Sequence, residues 1–98
     1  MSLISSSMKI EFKKHFAKQY IKVPQYVSKD TDQFIAELKS CSTENVRQIE
    51  NVNKMTGTKI YYRKKIGNYR IGFSVDGETA VIYCVMERSQ IYKVYPPK

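Results

Sequence analysis

Apolar and polar residues alternate near the start of the chain: Met8, Ile10 and Phe12 are separated by Lys9 and Glu11, the period-2 pattern of a half-buried strand. The period then lengthens. Phe16, Tyr20 and Val23 recur at helical spacing between Lys13 and Val23, and Pro24, which a helix interior cannot hold, ends that run. Val27, Phe34, Ile35, Leu38 and Cys41 make one stripe of a second helix whose wet side carries Asp30, Asp32, Glu37 and Lys39. A helical hairpin is therefore expected. Residues 42–57 are polar and mixed, with Ile49, Val52 and Met55 spaced three apart, and predict an ordered connector with a turn of helix at most, closed by Gly57.

Alternation returns after Thr58. Ile60, Tyr62 and Ile66 share one face of a strand, and Lys59, Tyr61, Arg63 and Lys65 share the other. Gly67-Asn68 is a two-residue turn signal suited to a primed hairpin loop, after which Tyr69, Ile71, Phe73 and Val75 continue the apolar face opposite Arg70, Gly72 and Ser74. Asp76-Gly77 reads as a second such turn. The run from Thr79 to Met86 is apolar on both faces, as expected of a central strand covered on both sides. The pattern predicts an α+β fold, with an N-terminal strand, a helical hairpin and then an antiparallel β-meander forming one sheet. It fills a single domain over residues 8–98, with residues 1–7 read as a leader or extension outside the fold.

Composition narrows the function. Ninety-eight residues suit one hydrophobic core, and 42% hydrophobic content with four Gly and three Pro is that of a folded chain. No apolar stretch approaches the roughly 18 residues that span a bilayer, so membrane roles drop out. Cys41 and Cys84 lie in apolar patterns without metal-type spacing, which predicts reduced thiols and a cytoplasmic location. Seventeen Lys and Arg against nine Asp and Glu give +8, and residues 59–98 hold eight basic and three acidic side chains where residues 1–58 hold nine and six. That excess points to a localised face for a phosphate backbone or an acidic partner, with plain solubility as the bland alternative.

If Gly67 and Asn68 are the whole loop, Lys65 pairs with Arg70, Arg63 with Gly72 and Tyr61 with Ser74. Like charges then stack on one face, which costs a few tenths to about 1 kcal/mol unless a polyanion neutralises them. Gly72 and Ser74, small beside long cations, suggest an open floor where a phosphodiester approaches the backbone. The lone His15, early in the first helix, is expected to be a surface residue, and Tyr62 and Tyr69 are expected to be core aromatics.

Tyr62-Arg63-x-Lys65-x-Gly67-Asn68-Tyr69-Arg70, an apolar strand and then Arg88-x-x-Ile91-Tyr92-x-x-Tyr95-Pro96 resemble the RelE/ParE superfamily of toxins from bacterial type II toxin-antitoxin systems. The likeness covers nearly the whole chain from Met8. It implies a ribosome-dependent mRNA endonuclease (mRNA interferase) that inhibits translation, reads mRNA in the 70S A site, uses no cofactor or metal and is silenced by a cognate antitoxin. Operator DNA would be met only through the antitoxin complex. In such chemistry the ribose 2′-hydroxyl attacks the adjacent phosphate, so the protein must take up a proton, stabilise the phosphorane and protonate the leaving oxygen. Carried over by motif, Arg70 clamps the scissile phosphate, Arg63 stands beside the nucleophilic hydroxyl, Tyr92 stacks or orients a base, and Arg88 contacts phosphate or leaving group. Lys65 holds flanking backbone, joined by Lys59, Tyr61 and Lys93 as further RNA-binding candidates. Two positions depart from the family: Glu87 stands where many relatives have His, and Met86 where some have Arg. A gyrase poison of the ParE type and a catalytically weakened nucleic-acid-binding relative are the alternatives.

Overall fold

The computed structural model describes residues 8–55, 57 and 60–96, so the expected leader at residues 1–7 lies outside the described residues. The elements are β1 (Lys9–Phe12), α1 (Lys14–Tyr20), α2 (Gln25–Ser40), a 3-10 helix (Thr43–Gln48), β2 (Val52–Lys54), β3 (Tyr61–Ile66), β4 (Tyr69–Asp76), β5 (Thr79–Glu87) and the short α3 (Arg88–Ile91). The expected α+β fold is present. Its sheet has five strands in the order β1-β5-β4-β3-β2, with β1 parallel to β5 and the other pairs antiparallel. The strand read as central, β5, indeed lies between β1 and β4.

Three elements go beyond the sequence reading. The connector carries a 3-10 helix and an edge strand, β2, which a segment of three residues with one buried side chain could not announce through periodicity. Residues 88–91, which the sequence reading assigned to no element, coil into α3.

Both hairpin loops hold two residues. The first is Gly67-Asn68 as expected, but the second is Gly77-Glu78, one position later than expected, because Asp76 pairs with Thr79. Gly67 and Gly77 have φ of 54° and 63°, while Asn51 is the only non-glycine with positive φ among the described residues. Positive φ at the first loop position alone is the sign pattern of a type II′ turn, which explains why each loop begins with glycine.

The helices cover one face of the sheet. Phe16 of α1 and Val27, Phe34 and Leu38 of α2 bury against Ile71, Phe73, Val75, Ala80 and Ile82 in the main core, where Phe34 meets Phe73 edge-on at 5.0 Å and Tyr62 stacks on Phe73 at 5.5 Å. The Tyr20 hydroxyl donates to Asp32 at 2.5 Å, tying α1 to α2. Where β1 stops, the side chain of Gln19 takes over as the partner of β5, its carbonyl oxygen accepting the Val85 N–H at 3.0 Å. Lys64 breaks the pattern. It lies on the core-facing side of β3 between Tyr62 and Ile66, its ammonium donating to the Glu50 carbonyl at 2.6 Å and sitting 5.6 Å from the centre of the Phe34 ring.

A bulge in β5 switches which residues face which way. Phe73 pairs with Ile82 but Gly72 pairs with Cys84, so Tyr83 is the extra residue, and beyond it Cys84 and Met86 join the face opposite the helices while Val85 keeps to the core. The apolar character of both faces of β5 follows from this phase change. On that far face Cys84, Ile91 and Tyr95 form a second buried cluster, with Met55, Tyr61, Tyr83 and Met86 packed around it. The Tyr95 hydroxyl has the carbonyls of Tyr62 (2.7 Å) and Phe73 (2.5 Å) within reach of its single proton and accepts the Tyr62 N–H at 3.1 Å. Its ring lies on Gly72, where a Cβ would come within 2.8 Å of ring carbons. The open floor expected at Gly72 is therefore filled by Tyr95.

This second cluster predicts an alkaline weakness. Burial pushes the Cys84 thiol from its ordinary 9.0 up to about 11 and drives the Tyr95 hydroxyl above its ordinary 10.0. Both groups then stay protonated in the fold after the unfolded chain has begun to release them. Stability is whole below about pH 9 and is lost as pH rises toward 11. Thermal unfolding at stepped pH should show the midpoint falling over that window, with Cys84 resisting alkylation until the chain unfolds. Ready labelling of native Cys84 at pH 8 would contradict the packing described.

Among the described residues, no helix is long and apolar enough to cross a membrane.

Candidate nucleic-acid interface

The candidate site occupies the same far face, beside the tyrosine cluster. Register fixes it: Lys65 pairs with Arg70, Arg63 with Gly72 and Tyr61 with Ser74, as the two-residue loop requires. Directly paired residues project to the same side, so Arg63, Lys65 and Arg70 converge. Behind β5, the Arg88 N–H donates to the Asn68 carbonyl at 2.9 Å, which pins the start of α3 to the β3–β4 loop. One turn of α3 then brings Tyr92 over β3. The result is a cleft of about 330 Å³ lined by Asn53, Arg63, Lys65, Arg70, Arg88 and Tyr92.

The four cations are not equivalent. Arg70 is only 9% exposed, and one of its terminal nitrogens, Nη1, donates to the carbonyls of Gly67 (2.8 Å) and Tyr69 (2.9 Å), so its guanidinium is fixed by the hairpin it follows. Its remaining N–H groups are left for an anion. Arg63 donates to the Tyr92 hydroxyl at 2.5 Å, and its guanidinium carbon lies 5.9 Å from the centre of the Tyr92 ring. Tyr92, nearly half exposed at 47%, thus presents a ring oriented by a cation and open to solvent. Lys65 and Arg88 are exposed at the margins. The arrangement offers fixed and mobile positive charge to a phosphate, and an aromatic surface for a base.

Of the expected site residues, Arg63, Lys65, Arg70, Arg88 and Tyr92 meet in this cleft, while Tyr61 and Lys93 stand apart from it. Tyr61 lies on the same face but packs edge-on against Tyr83 at 6.0 Å and Tyr95 at 5.8 Å, and burial raises its hydroxyl pKa. Lys93 is exposed in the turn after α3 and does not line the cleft. Lys59 lies outside the described residues. Met86 pairs with Arg70 and packs with the second cluster, and the exposed Glu87 borders the opposite, helical side near Gln19 and Lys22. His15 is exposed on α1 and exchanges a hydrogen bond with Gln19 at 3.0 Å. Asn53 is a cleft residue that sequence reasoning missed. It stands opposite Arg63 in β2, and only the strand pairing reveals it. Among the described residues, no three His, Cys, Asp or Glu side chains gather into a metal-binding group.

The family described as the ParE toxin of the type II toxin-antitoxin system, parDE, matches residues 10–92. Toxin RelE3 of Methanocaldococcus jannaschii is 35% identical over 89 residues, which is 91% of this chain and the whole of that protein. The toxin in the RelB-RelE antitoxin-toxin complex from Methanococcus jannaschii superposes with a TM-score of 0.70 at 33% identity, covering 88% of this chain and 99% of that one. The archaeal RelE-RelB complex from Pyrococcus horikoshii OT3 gives 0.69 at 22% identity over 86% and 98%, a likeness of fold. The match runs over nearly the whole chain, and the chain belongs to the ParE toxin family of type II toxin-antitoxin systems.

Proposed function

We propose that this toxin is a metal-independent endoribonuclease that cuts mRNA on the ribosome and is held inactive by a cognate antitoxin. The observation that carries the reading is the convergence of Arg63, Lys65, Arg70, Arg88 and Tyr92 on one cleft. In-line attack by a ribose 2′-hydroxyl needs its developing charge met by preorganised donors, and Arg70, locked by two backbone carbonyls, is such a donor. Arg88 and Lys65 add charge on either side of it. A guanidinium donates and does not accept, so Arg63 acts by charge and by orienting Tyr92, not by removing a proton. Tyr92 supplies the surface on which a base adjoining the cut stacks. The antitoxin is inferred because the archaeal relatives were solved as antitoxin-toxin complexes.

Induced expression is expected to halt translation and to leave ribosome-bound messages with new ends inside coding regions, mapped by sequencing of RNA termini. Intact messages together with a DNA-damage response would instead support gyrase poisoning, the activity suggested by the ParE name of the family. Binding that weakens steeply with salt and yields no product would leave a nucleic-acid-binding relative.

A further inference from the structure

We propose that Asn53 is a specificity-determining residue of the cleft that reads the edge of the base beside the scissile phosphate; this rests on the ribonuclease reading above. The side chains around it are cationic or phenolic. Arg63, Lys65, Arg70 and Arg88 only donate, and the Tyr92 hydroxyl already accepts from Arg63. Asn53 alone in this lining brings a neutral carboxamide, with a donor and an acceptor side by side. Such a group gives little to a phosphate, whose charge the arginines already meet. A base edge is what it matches.

Its position is fixed by backbone. Asn53 pairs with Arg63 across β2 and β3, and β2 is set in place by the Lys65 N–H donating to the Asn51 carbonyl at 2.9 Å and the Met55 N–H donating to the Tyr61 carbonyl at 2.8 Å. Directly opposite side chains of an antiparallel pair start about 5 Å apart. A base lying on the ring that Arg63 orients is therefore within reach of the Asn53 side chain. Among the described residues the Asn53 carboxamide has no hydrogen-bond partner, so its donor and acceptor are available. The edges it fits in bidentate fashion set an N–H donor next to a ring-nitrogen acceptor, as adenine and cytosine do and as guanine and uracil do not on their Watson–Crick edges.

The test is the distribution of cut sites on ribosome-bound mRNA after expression of the parent, Asn53→Ala and Asn53→Asp, read by sequencing of RNA ends. The parent is expected to favour adenine or cytosine over guanine and uracil at one position next to the cut. Asn53→Ala should flatten that preference by between about fivefold and about a hundredfold while messages are still cut, the range of one good bidentate pair. Asn53→Asp, which can only accept, should move the preference toward guanine, whose Watson–Crick edge sets two N–H donors side by side. An unchanged distribution in Asn53→Ala would overturn the inference, and so would an equal loss of cutting at every site, which marks a general positioning role. If the parent itself cuts no message, the ribonuclease reading falls first and this inference falls with it. Because Asn53 is exposed on an edge strand, both variants should unfold at the temperature of the parent.

Discussion

Arg70→Ala is expected to lower cleavage of ribosome-bound mRNA by about a hundredfold to a thousandfold, the usual cost of removing one preorganised donor to developing charge. The expectation is larger than for any other cation in the cleft because Arg70 is held by backbone carbonyls before RNA arrives, whereas Arg63 is engaged with the exposed Tyr92 side chain. It is nearly buried, and Nη1 is spent on the Gly67 and Tyr69 carbonyls, so the remaining N–H groups point along a set direction. Lys65 and Arg88 must give up side-chain freedom to do the same work. Arg70→Lys separates charge from geometry: an ammonium keeps the charge but cannot hold two carbonyls and present a planar fork at once, so it should recover only a small part of the rate. Single-turnover cleavage should be measured beside thermal unfolding, since the lost carbonyl bonds also loosen the hairpin by about 1–3 kcal/mol. A folded Arg70→Ala protein that cuts within a few-fold of the parent would remove Arg70 from the role given to it.

How much of this was legible beforehand depends on the distance over which each feature is encoded. The β3–β4 hairpin is local: Gly67-Asn68 sets the loop, the loop sets the register, and the register places Arg63, Lys65 and Arg70 on one side. The sequence reading therefore placed these three cations on one face, as the strand pairing has them. What it missed depends on contacts between distant segments. The expectation of an open floor at Gly72 treated the absence of a side chain as space, whereas the glycine is small because Tyr95, twenty-three positions later, lies on it. The bulge at Tyr83 left no mark beyond a run of apolar residues, since an extra residue only shows against its partner strand. Asn53 was hidden for the same reason. A three-residue edge strand has too few positions to display alternation, and its membership of the site comes from pairing with Arg63. Lys64, to which the sequence reading gave no face, lies on the core side that period-2 dictates, where the Glu50 carbonyl and the Phe34 ring meet its charge.

Gly72→Ala is expected to destabilise the fold by about 1–3 kcal/mol, the cost of overpacking, and to lower activity further than that loss explains. The added Cβ would come within 2.8–2.9 Å of three carbons of the Tyr95 ring, closer than packed atoms tolerate. The ring has little room to retreat. Its hydroxyl is held by the backbone of Tyr62 and Phe73, and the neighbouring Ile91 is fully buried. Strain therefore passes to the segment that carries Tyr95. That segment begins at Arg88 and includes Tyr92, so a shift of its far end draws two cleft residues away from Arg63 and Arg70. A double-mutant cycle isolates the cause. With Tyr95→Ala as the background, itself costing about 3–5 kcal/mol by analogy with other large aromatic truncations, the Gly72→Ala penalty should shrink toward zero. The two sites would then be coupled by roughly the whole overpacking cost. A penalty unchanged by the loss of Tyr95 would mean that Gly72 is required by something other than the ring. The tail would then not be the device that holds Tyr92 over β3.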